Sequence, residues 1–262
     1  MSDLPGSLAD FGPAALTAVV VAVYLVVGEP VVGHVLHRRF EGRLRSDRGA
    51  RRSFYVRLLI LEWGLALLAL VVWLSAPGVT AGQVGLRWPR EWPGPVAGSV
   101  VALVLVFVVV STRALRSGAL LEGPGPPPRR AGEGRHAEPP VHATLALLPR
   151  TTAERRLFTV VGVTAGVCEE WLYRGFFLAV VAALTGGPPT GVLVVVAAVA
   201  FGLANAYQGP AGIVTTGVLG GVMAAVYLQT GSLLLPVLLH AIIDLRFLLV
   251  PTRVLPAGRA TA

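Results

Sequence analysis

The chain has 262 residues, of which 54% are hydrophobic and only 14% are charged. A soluble domain carries roughly a quarter charged residues, and the apolar residues here lie in long runs, so a soluble globular protein is excluded and a lipid bilayer is the predicted surrounding. The net charge of +8 comes from arginines grouped between those runs, without the interleaved aromatic residues of a nucleic-acid-binding surface. The single cysteine excludes an intramolecular disulfide.

The apolar runs predict an all-α, polytopic bundle of transmembrane helices. A span needs about 20 mostly apolar residues, and about seven segments qualify. Glycine and proline pairs separate the last of them, as is typical of tight connections between helices. The predicted spans are 14–33, 55–76, 94–112, 157–184, 190–207, 211–229 and 232–250.

The composition divides the chain into three parts. Residues 1–116 hold three spans, and residues 145–252 hold four. Residues 117–144 between them are rich in proline, glycine and arginine, a composition that cannot bury a hydrophobic core. We therefore predict a disordered cytoplasmic linker between an N-terminal three-span part and a C-terminal four-span core.

The positions of the arginines predict the orientation. Seven arginines lie within 38–52 and eight within 113–156, whereas the loop between the second and third spans holds only Arg87 and Arg90. Arginine-rich loops stay on the cytoplasmic side. We therefore expect a plasma-membrane protein with its N-terminus outside and its C-terminus in the cytoplasm.

The fourth span contains an arginine and two adjacent carboxylates, which are costly in a bilayer and therefore suggest a functional site. Glu170 and Arg174 are four residues apart and can form an ion pair on one helix face. That pair by itself could serve only to hold helices together. Glu169 points about 100° away from Glu170 and has no cation four residues on, so it is the candidate for proton exchange with water.

Two later spans carry further polar residues. His240 and Asp244 share one helix face in the seventh span, and Asn205 ends the fifth. A histidine in a helix can be a satisfied core residue, and an asparagine can simply bond a neighbouring helix. Because lone polar groups are unfavourable in lipid, we predict that these three residues and Glu169 line one cavity open towards the cytoplasm.

Three short motifs resemble those of the CPBP intramembrane proteases, which include the CAAX prenyl endopeptidases and the Abi-type bacteriocin-immunity proteins. They are Glu169-Glu170-x-x-x-Arg174, Phe201-x-x-x-Asn205 and His240-x-x-x-Asp244, within about residues 145–250.

The resemblance implies hydrolysis of a peptide bond near the cytoplasmic membrane surface. Glu169 would activate water as general base, and His240 and Asp244 would stabilise the oxyanion or hold the partner groups. Asn205 stands at the remaining catalytic position of the family, and Glu170 and Arg174 would be structural. The implied substrate is a membrane-associated peptide or protein, prenylated in the CAAX branch of the family.

The chain departs from the family at Asn205, where the second motif has a histidine. In the metalloprotease interpretation that histidine binds a divalent metal such as zinc, for which Glu169 and His240 are the candidate ligands here. Asparagine binds metals poorly and takes no proton, so three good zinc ligands are not evident and no cofactor follows from the residues.

Two other functions remain open from the sequence. Asn205 favours a catalytically weakened scaffold or an immunity-type protein that keeps the fold. A small transporter that uses Glu169 and His240 as a proton relay is the other, although no inverted repeat is visible.

The orientation can be tested by cysteine labelling. With Cys168 replaced, we expect a cysteine introduced at Ser46 to react with a membrane-impermeant maleimide only after the cells are permeabilised, because residues 38–52 are predicted to be cytoplasmic. Labelling of that position from outside intact cells would reverse the orientation.

Overall fold

A computed structural model of the protein describes residues 4–44, 46–47, 49–90, 94–117, 145–252 and 255. Within these residues the long regular elements are all helical, which confirms the predicted helical membrane bundle. The predicted linker, 117–144, lies outside the described residues except for Ser117. The division of the chain at that linker therefore stays a prediction.

Seven long helices in the described part of the chain lie where the seven spans are predicted. Three of them contain or end in short stretches of π- or 3-10 helix. They are α1 (Leu8–Arg43), α2 (Ala50–Leu74), α3 (Pro95–Ser117), α4 (residues 152–185), α5 (Thr190–Ala204), α6 (Gly209–Thr230) and α7 (Leu234–Leu245, followed by the 3-10 turn Arg246–Leu249).

Four of these helices, α1, α2, α3 and α6, are long and apolar enough to cross a membrane by length and composition. The helices α5 and α7 have 15 and 12 residues, which at 1.5 Å per residue gives about 22 and 18 Å. A hydrocarbon core is about 30 Å thick. Both helices are therefore shorter than a hydrocarbon core. Within a membrane, non-helical backbone is tolerated where it lines a cavity, and residues that follow both helices line one.

Helix α4 lies at the centre of the bundle and has well-defined ends. It begins after Thr151, whose hydroxyl accepts a hydrogen bond from the backbone N–H of Glu154, while the Glu154 carboxylate accepts one from the backbone N–H of Thr151. It ends at Gly186, which adopts the left-handed conformation (φ 70°) that glycine takes without strain. Between these ends the helix packs against α2 and α7.

Two π-helical segments are linked by the hydroxyl of Tyr173. One is Tyr24–Gly28 in α1, and the other is Trp171–Phe177 in α4, directly after the two adjacent glutamates. The hydroxyl of Tyr173 lies 3.2 Å from the carbonyl oxygen of Leu25 and 2.8 Å from the carboxylate of Glu29. Such segments occur most often at functional sites, and these two join α1 to α4 at the level of the glutamates.

The two parts of the chain share one core and meet at both ends of the bundle. Buried residues of α1 and α2 pack with those of α4, α5 and α6 in a single cluster. At one end the guanidinium of Arg51 donates to the carbonyl of Ala146 at 3.0 Å. At the other, the backbone N–H of Leu233 donates to the carbonyl of Gly85 at 3.0 Å. The loops that were predicted from the arginines to lie on opposite sides of the membrane are thus joined to the bundle at its two ends, while the orientation itself stays a prediction.

The close approach of α4 to α7 can be tested with a glycine substitution. A Cβ atom at Gly166 would lie 3.1 Å from backbone atoms of both Val237 and Ala241, which cannot easily move aside. We expect Gly166→Ala to destabilise the protein by about 1–3 kcal/mol. Because Cys168 is buried and is the only cysteine, the reaction of a thiol-reactive dye on heating in detergent measures the unfolding.

The matched control is Gly64→Ala in α2, where an added Cβ meets nothing within 4 Å. It should be neutral or stabilising by up to about 1 kcal/mol, because alanine favours the helix. Equal melting temperatures for the two variants would contradict this packing of α4 against α7.

Candidate active site

The predicted ion pair between Glu170 and Arg174 is present and fully buried. A guanidinium nitrogen (Nη1) of Arg174 lies 3.1 Å from Oε1 of Glu170, and neither side chain is exposed to solvent. The other terminal nitrogen donates to the backbone carbonyl of Gly220 in α6 at 3.0 Å. The guanidinium also lies over the ring of Phe201, 4.4 Å from its centroid. The pair therefore joins α4 to both α5 and α6.

His240 of α7 is held by the same carboxylate oxygen. Its Nδ1 lies 2.7 Å from Oε1 of Glu170, and because an ionised carboxylate only accepts hydrogen bonds, Nδ1 carries the proton. The imidazole packs against the edge of Phe201, with ring centroids 5.8 Å apart and planes at 85°. These contacts fix the ring and leave Nε2 as the nitrogen available for chemistry.

Two carboxylates flank Nε2 of His240. Oε2 of Glu169 and Oδ2 of Asp244 each lie 3.8 Å from it, which is too long for a hydrogen bond. The side chains of Glu169 and Asp244 are 24% and 31% exposed, whereas that of Glu170 is fully buried. The two adjacent glutamates are therefore divided between two environments, one closed and paired and the other open to the cavity, as the sequence predicts.

Asn205 lines the same cavity, but its amide is used locally. It is the C-terminal cap of α5, and its Nδ2 donates to the carbonyl of Phe201 at 3.0 Å. Its Oδ1 accepts a hydrogen bond of 2.8 Å from Gln208. One amide N–H of Asn205 remains for a further hydrogen bond, and its predicted catalytic role stays a prediction.

The cavity between the helices has a volume of about 650 Å³. Most of its lining is apolar, with leucines and aromatic rings from α1, α2, α3 and α4, and the polar side chains lie among them. Apolar walls with a few convergent polar groups are typical of a binding site for a largely apolar ligand. Glu169, Asn205, His240 and Asp244 all contribute to its wall.

Two carboxylates of the N-terminal helices also line this cavity, and the sequence interpretation missed both. They are Glu29 in α1 and Glu62 in α2. Each is a lone acid inside an apolar run, and such residues indicate a functional site. The same signal identified Glu169. The resemblance drew attention to the C-terminal half instead.

The fit of a metal ion can be judged from the donor groups. Within the described part of the chain, no group of three or more His, Cys, Asp or Glu residues is arranged to hold one. The bond from Nδ1 of His240 to Glu170 leaves Nε2 available, as in many metal-binding histidines. Asn205, however, supplies only an amide, and its Oδ1 accepts a hydrogen bond from Gln208. The residues do not form a three-ligand zinc site, so the steps proposed below use protein side chains and water.

Comparison with protein families gives a match for the C-terminal part. Residues 152–246 match the family described as type II CAAX prenyl endopeptidase Rce1-like. This segment is similar to the Rce1-like domain. The resemblance to the CPBP family is thereby confirmed, and the matched segment holds all three motifs that carry the resemblance. No curated protein and no solved structure matches the chain.

The two glutamates should respond differently to the same substitution. Glu170→Gln leaves the charge of Arg174 buried without its counter-ion, and breaking one partner of a buried pair costs about 3–5 kcal/mol. Glu169→Gln removes a carboxylate that has no hydrogen bond within the described residues and is 24% exposed, so its melting temperature should stay close to that of the wild type. Thermal unfolding of both purified variants in detergent checks this. An equal decrease of the melting temperature in both variants would contradict the different environments of the two glutamates.

Proposed function

We propose that this protein is an intramembrane endopeptidase of the CPBP type, which hydrolyses a peptide bond near the cytoplasmic membrane surface with water activated by Glu169. The observation that carries the proposal is the partly exposed carboxylate of Glu169 beside the fixed imidazole of His240, in the wall of a mostly apolar cavity. The Rce1-like domain supports the same reaction class.

In the proposed reaction each group has a role that its position supports. Glu169 takes a proton from a water molecule in the cavity, and the hydroxide oxygen attacks the carbonyl carbon of the substrate. The Nδ1–H group of His240 donates to Glu170. The carboxylates of Glu169 and Asp244 lie near Nε2 and favour a second proton on that nitrogen. Nε2–H is then a donor for the oxyanion of the tetrahedral intermediate. Asp244 orients the imidazole of His240 and balances the positive charge of its doubly protonated form.

Arg174 and Glu170 position the site and do not react. Both are fully buried, and their bonds reach α6 and α7 as well as each other. Reacting groups must be held within a fraction of an ångström to be effective. The buried pair provides that rigidity for the imidazole.

The proposed substrate is a membrane-associated peptide or protein, prenylated as the name of the matching family states for its members. The apolar lining of the cavity suits such a chain. The proposed setting is the plasma membrane, with the arginine-rich end of the bundle in the cytoplasm.

A scaffold or immunity-type protein without activity is the second candidate, and Asn205 favours it. Both polar atoms of that amide are engaged within its own helix end, and an amide takes no proton. Under this alternative the purified wild-type protein would be well folded and would cleave no peptide.

The decisive variant for the proposal is Glu169→Gln, which keeps the size and polarity of the side chain and removes the base. A general base contributes about 10²- to 10⁴-fold, so cleavage should fall by that factor. The measurement uses purified protein in detergent and a quenched fluorescent peptide that ends in a prenylated cysteine and three further residues. Unchanged cleavage in this variant would remove Glu169 from the mechanism.

A further inference from the structure

Glu62 is the one carboxylate in the described cavity wall that the reaction above does not use and that has no partner. It lies in the middle of α2, between apolar residues. Its Oε2 atom is buried and makes no hydrogen bond, and no ion pair to Glu62 occurs among the described residues. A buried polar atom without a partner is costly and rare in a native protein. Glu62 therefore needs an explanation that packing does not give.

The packing of α2 against α4 directs Glu62 towards the site. The indole N–H of Trp63 donates to the hydroxyl of Thr164 at 3.3 Å, and that of Trp171 donates to the carbonyl of Ala66 at 3.1 Å. Ala66 is one helical turn beyond Glu62, so the two share a face of α2. Glu62 thus lies on the face that is fastened to α4 and not on the face turned to lipid.

The charged groups around Glu62 are those of the proposed reaction. Glu29, Glu169, His240 and Asp244 line the same cavity as Glu62. The other acids of the cavity each have a defined neighbour: Glu170 binds Arg174 and His240, Glu29 accepts from Tyr173, and Glu169 and Asp244 flank the imidazole. Glu62 has no cation of its own among the described residues, and an unpaired carboxylate charge is costly at a buried position.

From this arrangement we propose that Glu62 is the acid that protonates the leaving amine, which rests on the peptidase function proposed above. Glu169 receives one proton of the attacking water, and the remaining hydroxide forms the new C–O bond. As the C–N bond breaks, its electron pair goes to nitrogen, which takes the proton of Glu62. The proton held by Glu169 then returns to Glu62 through water, so both groups regain their starting state and one water molecule is consumed.

The assignment also accounts for the departure at Asn205. An amide cannot exchange a proton, so the second motif of this chain supplies no acid or base. Glu62 supplies one from α2, outside the matched residues 152–246. The N-terminal helices are then part of the catalytic site and not only its support.

The test compares two scissile bonds, because an amine must be protonated to leave whereas an alcohol leaves more easily. The probes are a peptide that ends in a prenylated cysteine and three further residues, and its analogue in which an ester replaces the amide after that cysteine. In Glu62→Gln we expect amide cleavage to fall by about 10²-fold and ester cleavage by less than about threefold. Glu62→Asp, which keeps an acid, should recover part of the amide cleavage.

Two further variants make the result specific. Glu41→Gln removes a carboxylate that lies outside the cavity and is 43% exposed, and its ratio of amide to ester cleavage should match the wild type. Glu169→Gln should lose both activities. Melting temperatures accompany each variant, and Glu62→Leu replaces Glu62→Gln if the latter does not fold.

The outcomes separate this inference from the proposed function. If Glu169→Gln is inactive but Glu62→Gln keeps the wild-type ratio of amide to ester cleavage, Glu62 is not the acid and the peptidase proposal stands. If the folded wild-type protein cleaves neither probe, the peptidase proposal fails and the role of Glu62 fails with it. A selective loss of amide cleavage in Glu62→Gln, with recovery in Glu62→Asp, supports the assignment.

Discussion

Glu170 accepts hydrogen bonds from Arg174 and from His240 through the same oxygen, in a place that neither solvent nor lipid reaches. This shared carboxylate joins α4 to α7, and the guanidinium carries the connection on to Gly220 of α6. A charge buried in a membrane protein is tolerated only when it is paired and hydrogen-bonded. The bundle must therefore close around these groups in one arrangement, and that arrangement fixes the imidazole beside Glu169.

The polar groups of the cavity fall into two sets with different consequences. Glu170 and Arg174 have no exposed surface and form an ion pair with each other, so their effect is on stability and geometry. Glu169, His240 and Asp244 are partly exposed in the cavity, and both carboxylates lie 3.8 Å from Nε2 of the imidazole. A site of this kind keeps its reactive groups open to water and substrate, while the surrounding apolar walls strengthen the electrostatic interactions among them.

The sequence predicted the helices, the pair of Glu170 with Arg174, and the grouping of Glu169 with His240. These depend on composition and on spacings of four residues, which are local. The bond from His240 to Glu170 joins residues 70 apart and depends on how α7 packs against α4, so spacing gave no sign of it. Which face of α2 turns to the cavity is likewise set by tertiary contacts. Glu62 is a lone acid in an apolar run, as Glu169 is, but no spacing in the sequence links it to the motifs of the C-terminal half. The π-helical turns beside Glu29 and Glu170 have no marker in the sequence.

The central claim is that water held by Glu169 attacks the peptide carbonyl directly. A single turnover with excess enzyme in ¹⁸O-labelled water tests it, with the prenylated peptide as substrate and mass spectrometry of the product. The account predicts one ¹⁸O atom in the new terminal carboxylate and no covalent acyl adduct on the enzyme at any time during the turnover, because water attacks the peptide carbonyl and not an acyl-enzyme. An acyl adduct on the intact protein, a product without ¹⁸O, or no product from the folded protein would contradict it.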